Sequence, residues 1–209
     1  MYDFFSSTLA TLLVTLDPPG LAPIFISLTM GMVAAERRQV AIRASLIAFV
    51  IMTFFALGGG HILTVLGVGL PAFRIAGGLL LFWIAFEMVF EARIERKAET
   101  AQSAITIDHI RNVAAFPLAI PLLAGPGAIT ATILLAGRAG SDPRLIAILV
   151  ALIGAVLALC ALVFLLAERI SRLLGVTGNV VLSRLLGVIL AALAVQFVVD
   201  GATAAFGRL

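Results

Sequence analysis

Long apolar runs separated by short polar stretches dominate the chain. Each run has roughly the 20 residues that a helix needs to cross a bilayer. Six such runs are present, at about 4–29, 44–66, 68–90, 113–136, 145–167 and 180–199. The pattern predicts an all-α, polytopic membrane protein with six transmembrane helices.

The first run is interrupted near its middle, where residues 13–23 read LVTLDPPGLAP. Prolines remove backbone donors and clash with the preceding turn, and residues before proline leave the α region. In hydrocarbon, a broken helix survives only where it is buried in protein or lines a wet cavity. The fourth run contains a similar break, since residues 116–131 read FPLAIPLLAGPGAITA. Both breaks therefore predict broken helices beside a cavity.

Several features recur at a nearly constant offset along the chain. Pro19 and Pro126, each followed by glycine, lie 107 positions apart, and Arg74 and Arg184 lie 110 positions apart. Gly77 and Gly187 keep the offset of 110. The spacing predicts two copies of one three-helix unit.

The two predicted copies are residues 1–100 and 105–209, and a polar linker at 91–112 joins them within one membrane domain. Because each copy has three spanning helices, an odd number, the second copy has the opposite orientation across the membrane to the first. We therefore expect a 3+3 inverted repeat in which helices 1 and 4 are broken, an arrangement found in many secondary transporters. The charged residues of the linker are interpreted as solvated.

The amino-acid composition excludes other classes of protein. Of 209 residues, 62% are hydrophobic and 12% charged, whereas about 25% are charged in soluble domains. This leaves no room for a soluble catalytic domain. The sequence contains no metal-ligand cluster, phosphate-binding loop, nucleophile elbow or dinucleotide motif, so we expect no enzyme activity and no cofactor. The net charge of +3 is attributed to arginines at helix ends rather than to nucleic-acid binding.

The basic residues do not decide the topology. If all six runs span, ten of the fourteen basic residues lie on one side; the positive-inside rule makes those loops cytoplasmic and both termini periplasmic. If runs one and four are re-entrant hairpins, the basic residues again divide ten to four. The length of each run favours spanning, because about 20 helical residues cover a bilayer core of about 30 Å.

Asp17 is the first candidate for a functional residue, because an acid this deep in a membrane marks an ion or substrate path by default. It could instead cap the half-helix that begins at Pro18, since Asp followed by Pro is a helix-start signature. Both roles can hold together.

The starts of the two half-helices form the predicted binding site. Free backbone donors and the positive end of the helix dipole favour a carboxylate or another anion there. The candidate residues are Asp17, Pro18, Pro19 and Gly20 at the first break and Gly125, Pro126 and Gly127 at the second. The glycines permit close approach, and the lack of large aromatic residues favours a small ligand.

Arg74 and Arg184 complete the list of candidates. Each lies near the start of an apolar run, where arginine can reach the headgroups. Their equivalent positions in the two copies also allow a functional role, in which they orient a substrate carboxylate or lock a gate. Both interpretations stay open.

Four stretches resemble the MarC family of bacterial inner-membrane proteins: DPPGLAPIFISL, LPAFRIAGGLLLFWIAFEMVF, FPLAIPLLAGPGAITATILL and SRLLGVILAALAVQFVVDGA. The family commonly has Asn where this chain has Asp17. Members are classed as transporters of small neutral amino acids. The resemblance thus implies a transporter of glycine- or alanine-sized amino acids in the bacterial inner membrane.

Three classes of function remain to be compared. A secondary transporter would bind its amino acid between broken helices 1 and 4, with H⁺ or Na⁺ as a coupling ion or by exchange. A channel-like pore could share the same architecture, and a structural or regulatory membrane protein would transport nothing. Small residues recur at every fourth position of run five, and this pattern fits intramolecular packing or a homo-oligomer seam.

Overall fold

The computed structural model describes residues 1–90, 93, 96–99 and 113–206, except for the side chain of residue 176. In this part of the chain, helices are joined by short connections and no strand is present. The elements in chain order are α1 (Tyr2–Leu16), α2 (Pro18–Leu28), α3 (Ala34–Val65), α4 (Leu70–Val89), the irregular segment Ala114–Leu123, α5 (Pro126–Ala139), α6 (Pro143–Leu165) and α7 (Ala167–Phe206).

Five helical stretches are long and apolar enough to cross a membrane, and α1 with α2 counts as one of them. The irregular segment and α5 meet at a bend of 56° and form a sixth crossing if they act as one span. The predicted all-α polytopic class is confirmed. The number of crossings, and with it the side on which each terminus lies, stays a prediction.

The broken helices occupy the interior of the bundle. In the most apolar part of Tyr2–Leu28, 67% of the residues are buried, against 28–39% in the other four candidate spans. Thr8, Thr11 and Thr15 on α1 are all buried. Neighbouring helices therefore shield the first break from lipid, as broken backbone at this depth requires.

Two helices begin earlier than the sequence pattern indicated. α3 starts at Ala34, so Arg37, Arg38 and Arg43 lie on a helix and not in a loop. The Glu36 carboxylate accepts the Val33 N–H at 3.1 Å and supports this early start. α7 likewise starts at Ala167 and leaves helical geometry only at Gly175, where φ is 61°.

α4 and α7 pack against each other through glycines. A Cβ on Gly78 would lie 2.8 Å from the carbonyl oxygen of Ala194, and a Cβ on Gly187 would lie 3.1 Å from that of Ala85. Gly78 and Gly187 lie 109 positions apart, as do Ala85 and Ala194, which is one less than the offset of 110 between Gly77 and Gly187. These contacts show close packing of α4 on α7, while the superposition of residues 1–100 on 105–209, and with it the inverted repeat, stays a prediction.

Replacing Gly78 with valine should destabilise the protein, because its Cβ must push the α7 backbone away. Overpacking of this kind costs about 1–3 kcal/mol. Thermal unfolding in detergent should show a lower midpoint for Gly78→Val. Gly58→Val is the matched control, since a Cβ on Gly58 meets no atom within 4 Å. Equal midpoints for the two variants would contradict the close α4–α7 contact.

Candidate functional site

The first break is a turn closed by Asp17. This residue lies between α1 and α2 in the left-handed region, with φ 52° and ψ 63°, which Asp tolerates better than most residues. Its carboxylate Oδ1 accepts the N–H of Gly20 at 3.2 Å, and the side chain is 2% exposed. Asp17 therefore caps α2, as one of its two interpretations predicted.

Gly20 is required by this cap. A Cβ at position 20 would lie 2.2 Å from Oδ2 of Asp17 and within 2.9 Å of its other carboxyl atoms. Any side chain there would expel the carboxylate from its position. The donors at the start of α2 are thus occupied by a residue of the chain itself.

The second break is arranged differently. Phe116 and Ile120 are extended within the irregular segment, and α5 then begins at Pro126. No side chain among the described residues caps α5, whose N-cap is Gly125. The N–H of Ile129 donates to the Gly125 carbonyl at 3.0 Å as a regular helical bond. The N–H groups of the first turn, which lack intrahelical acceptors, belong to residues that line a cavity.

The two breaks meet at this cavity. An ideal Cβ on Gly127 would lie 3.8 Å from Cγ2 of Thr15, at the end of α1. The cavity has a volume of about 240 Å³, below the range for drug-sized ligands. Its lining residues are Thr15, Leu80, Trp83, Ile84, Arg93, Arg96, Lys97, Pro121, Leu122, Leu123, Gly125, Pro126, Gly127 and Ala128.

Three basic residues of the linker, Arg93, Arg96 and Lys97, line this cavity. Interpreting the linker charges as solvated was wrong for Arg93 and Lys97, which are largely buried, whereas Arg96 is exposed. Arg93 is 6% exposed and donates to the carbonyl oxygen of Thr15 at 2.5 Å and to Sδ of Met88 at 2.8 Å. Nζ of Lys97 lies 4.0 Å from Oδ2 of Asp17. Residues 91–92, 94–95 and 100–112 of the linker lie outside the described residues.

Arg96 lies beside the same cavity. Its Nη2 lies 2.8 Å from Oε2 of Glu87, whose Oε1 accepts the indole N–H of Trp83 at 2.9 Å. The sequence does contain a signal that Arg93, Arg96 and Lys97 act together, namely the spacing of their positions. Residues three and four apart share one face of a helix, and here that face turns toward the breaks.

Charge at the site depends on the protonation of Lys97. When Lys97 is protonated, it and Arg93 and Arg96 face two carboxylates, Asp17 and Glu87, and the described groups sum to +1; when Lys97 is neutral, they sum to zero. Nζ of Lys97 is buried and has no hydrogen-bond partner among the described residues. Burial, and then Arg93, lower the pKa of Lys97 from 10.5 to about 7, against the opposing effect of Asp17. With Lys97 protonated, the arrangement can accept one added negative charge.

The other predicted site residues lie elsewhere. Pro18 is buried at the start of α2, and Pro19 lines a small cavity beside the first turns of α7. Arg74 donates to the carbonyl oxygen of Gly137 at 3.3 Å, near the end of α5. Arg184 is exposed on α7. Of the nine predicted residues, Gly125, Pro126 and Gly127 line the cavity, and Asp17 adjoins it through Lys97.

Comparisons with a family model and with related proteins both match one family of membrane proteins. A model of the MarC family, described as integral membrane proteins, matches residues 2–206. A UPF0056 membrane protein of Archaeoglobus fulgidus is 40% identical over 95% of this chain and 92% of its own length. One from Aquifex aeolicus is 38% identical (94% and 91%), and YhcE of Escherichia coli is 35% identical (95% and 91%). No solved structure matches the chain.

The burial of Lys97 should make stability depend on pH. Between pH 7 and about 10.5 the unfolded chain binds a proton at Lys97 that the native chain does not, because the native pKa is about 7. Stability contributed by this residue therefore rises as the pH rises above 7. The thermal midpoint in detergent should rise more between pH 7 and 9 in the unmodified protein than in Lys97→Met. Parallel pH profiles for the two proteins would show that Lys97 is not buried as described.

Proposed function

The chain belongs to the MarC family of integral membrane proteins, as its motifs predicted, and we propose that it is a secondary transporter of small solutes that carry a carboxylate. Neutral amino acids of the size of glycine and alanine are the first candidates. The names of the relatives describe membrane proteins and no substrate. The substrate is therefore proposed from the family resemblance and from the chemistry of the site.

One observation carries this proposal: the start of α5, uncapped among the described residues, opens on a cavity whose charged lining is cationic. The equivalent start of α2 is closed by Asp17. Backbone donors at a helix start bind carboxylates well. A substrate carboxylate at α5 would supply the missing cap and also the negative charge that Lys97 and Arg93 attract.

The size of the cavity restricts the rest of the substrate. Gly127 lies against Ile84 and Thr15, and Gly125 against the carbonyl oxygen of Pro121, so the walls approach closely. Irregular backbone at Pro121–Leu123 forms part of the lining, and carbonyl oxygens of irregular backbone are suitable acceptors for an ammonium group. A zwitterion with a small side chain fits these walls.

Alternating access requires contacts that can open on one side at a time. Arg37 on α3 pairs with Glu168 near the start of α7, and Arg138 on α5 pairs with Asp200 near its end, each at 2.5 Å. The Arg138 guanidinium also lies 4.6 Å from the centre of the Phe197 ring. In the proposed cycle these two ion pairs break in turn, and Lys97 is the candidate group for coupling to protons.

Counterflow in proteoliposomes tests the proposal. Vesicles loaded with unlabelled glycine or alanine should accumulate the labelled amino acid transiently, because a transporter exchanges and a pore does not. Gly127→Leu should reduce this exchange by at least about tenfold, a loss of about 1.4 kcal/mol in transition-state stabilisation, since its side chain fills the cavity.

Gly58→Leu serves as the control, because a Cβ at that position has open space around it. It should keep near-normal exchange. A panel that includes small monocarboxylates without an ammonium group tests whether the zwitterion is preferred. Flux without counterflow would indicate a channel-like pore, and an absence of flux for every carboxylate tested would contradict the proposal.

A further inference from the structure

A second and larger cavity lies at one end of the bundle, away from the helix breaks. It has a volume of about 420 Å³ and lies where α2 turns into α3 and where α6 turns into α7. The apolar part of α6 ends at Leu165, and the candidate span within α7 begins only at Thr177. Connections between spanning helices lie at a membrane surface, so this cavity opens in the headgroup region.

The mouth of the cavity is basic. Arg37 and Arg38 from the first turns of α3 and Arg169 from the start of α7 line it, together with one acid, Glu168. These four charges sum to +2. Arg37 uses Nη1 to bind Glu168, while its Nε is buried and has no hydrogen-bond partner among the described residues. A buried donor without an acceptor costs free energy, and a phosphate oxygen would supply that acceptor.

The floor of the cavity is apolar. Phe25 of α2 and Phe164 of α6 stack with their ring centres 4.7 Å apart and their planes 10° apart. Met32 and Leu165 extend this apolar surface. A free phosphate ion would gain nothing from such a floor, whereas the glycerol and first acyl carbons of a lipid would pack on it.

We propose that this cavity binds the headgroup of an anionic phospholipid, with the phosphate at the three arginines and the glycerol backbone over Phe25 and Phe164. Basic pockets between membrane helices are suited to anionic headgroups. The lipid would bridge the starts of α3 and α7 beside the Arg37–Glu168 pair. This site is separate from the cavity at the helix breaks, and the lipid proposal does not rest on the proposed transport, although the cavity lining includes the Arg37–Glu168 pair.

Native mass spectrometry of the whole protein released from nanodiscs tests the site. With equal amounts of phosphatidylglycerol and phosphatidylcholine, the protein should retain phosphatidylglycerol at least about tenfold better. The double variant Arg38→Gln, Arg169→Gln should lose most of this preference. Arg37 is left unchanged, because its loss would unpair Glu168.

The matched control is Arg43→Gln with Arg172→Gln, which removes the same charge from the same two helices outside the cavity lining. It should keep the preference within about twofold, as weakly coupled surface charges do. An equal loss in both double variants would mean bulk electrostatic attraction and overturn the site. Equal retention of the two lipids by the unmodified protein would also overturn it.

A third arm separates lipid from free phosphate. Inorganic phosphate at millimolar concentration should displace little phosphatidylglycerol from the protein in detergent, because it lacks the apolar part that packs on the floor. Complete displacement would assign the cavity to a free phosphate and overturn the lipid proposal.

Discussion

Backbone polar groups released by the helix breaks need partners inside a membrane protein, and this constraint shapes the site. Each unpaired group in hydrocarbon costs several kcal/mol. At the first break the chain provides the partners itself: Asp17 accepts the N–H of Gly20, and Arg93 donates to the carbonyl oxygen of Thr15. At the second break no described side chain caps the start of α5. The site follows from this difference between two similar breaks.

The same constraint explains why linker residues are buried. A lone buried guanidinium would be unstable, yet Arg93 has the Thr15 carbonyl, the sulfur of Met88 and the nearby negative charge of Asp17. Because a buried charge is tolerated when it is paired and hydrogen-bonded, Arg93 can close the end of α1. It also brings Lys97 beside Asp17 and leaves the cavity with a small positive charge when Lys97 is protonated.

Sequence reasoning located the breaks because proline and glycine act locally. Asp17-Pro18-Pro19-Gly20 and Gly125-Pro126-Gly127 interrupt a helix whatever surrounds them, and both interruptions are present. The apolar runs likewise identified the membrane class. The buried linker could not be predicted in the same way, because Arg93 and Lys97 are stabilised by Thr15 and Asp17, which are distant in the sequence. A charged run also has the composition of a solvated loop, and only its spacing of three and four residues indicated a helix face.

Arg74 and Arg184 illustrate a second limit. Their spacing of 110 positions drew attention to α4 and α7, which pack closely through Gly78 and Gly187. Matching positions do not place side chains in the cavity, and neither arginine lines it. Which side chain faces a cavity depends on helix rotation, and helix rotation depends on packing between distant segments.

An engineered disulfide between the two helix breaks tests most directly whether the breaks meet. The sequence has one cysteine, Cys160, which is replaced by alanine for this test. Thr15→Cys and Gly127→Cys should then cross-link under mild oxidation, because Thr15 Cγ2 lies 3.8 Å from an ideal Cβ at Gly127. Thr8→Cys with Gly127→Cys is the control, since seven residues of helix separate positions 8 and 15 by about 10 Å. Cross-linking of the first pair alone is the predicted result. Failure of the first pair, or equal cross-linking of both, would contradict a site built where the two breaks meet.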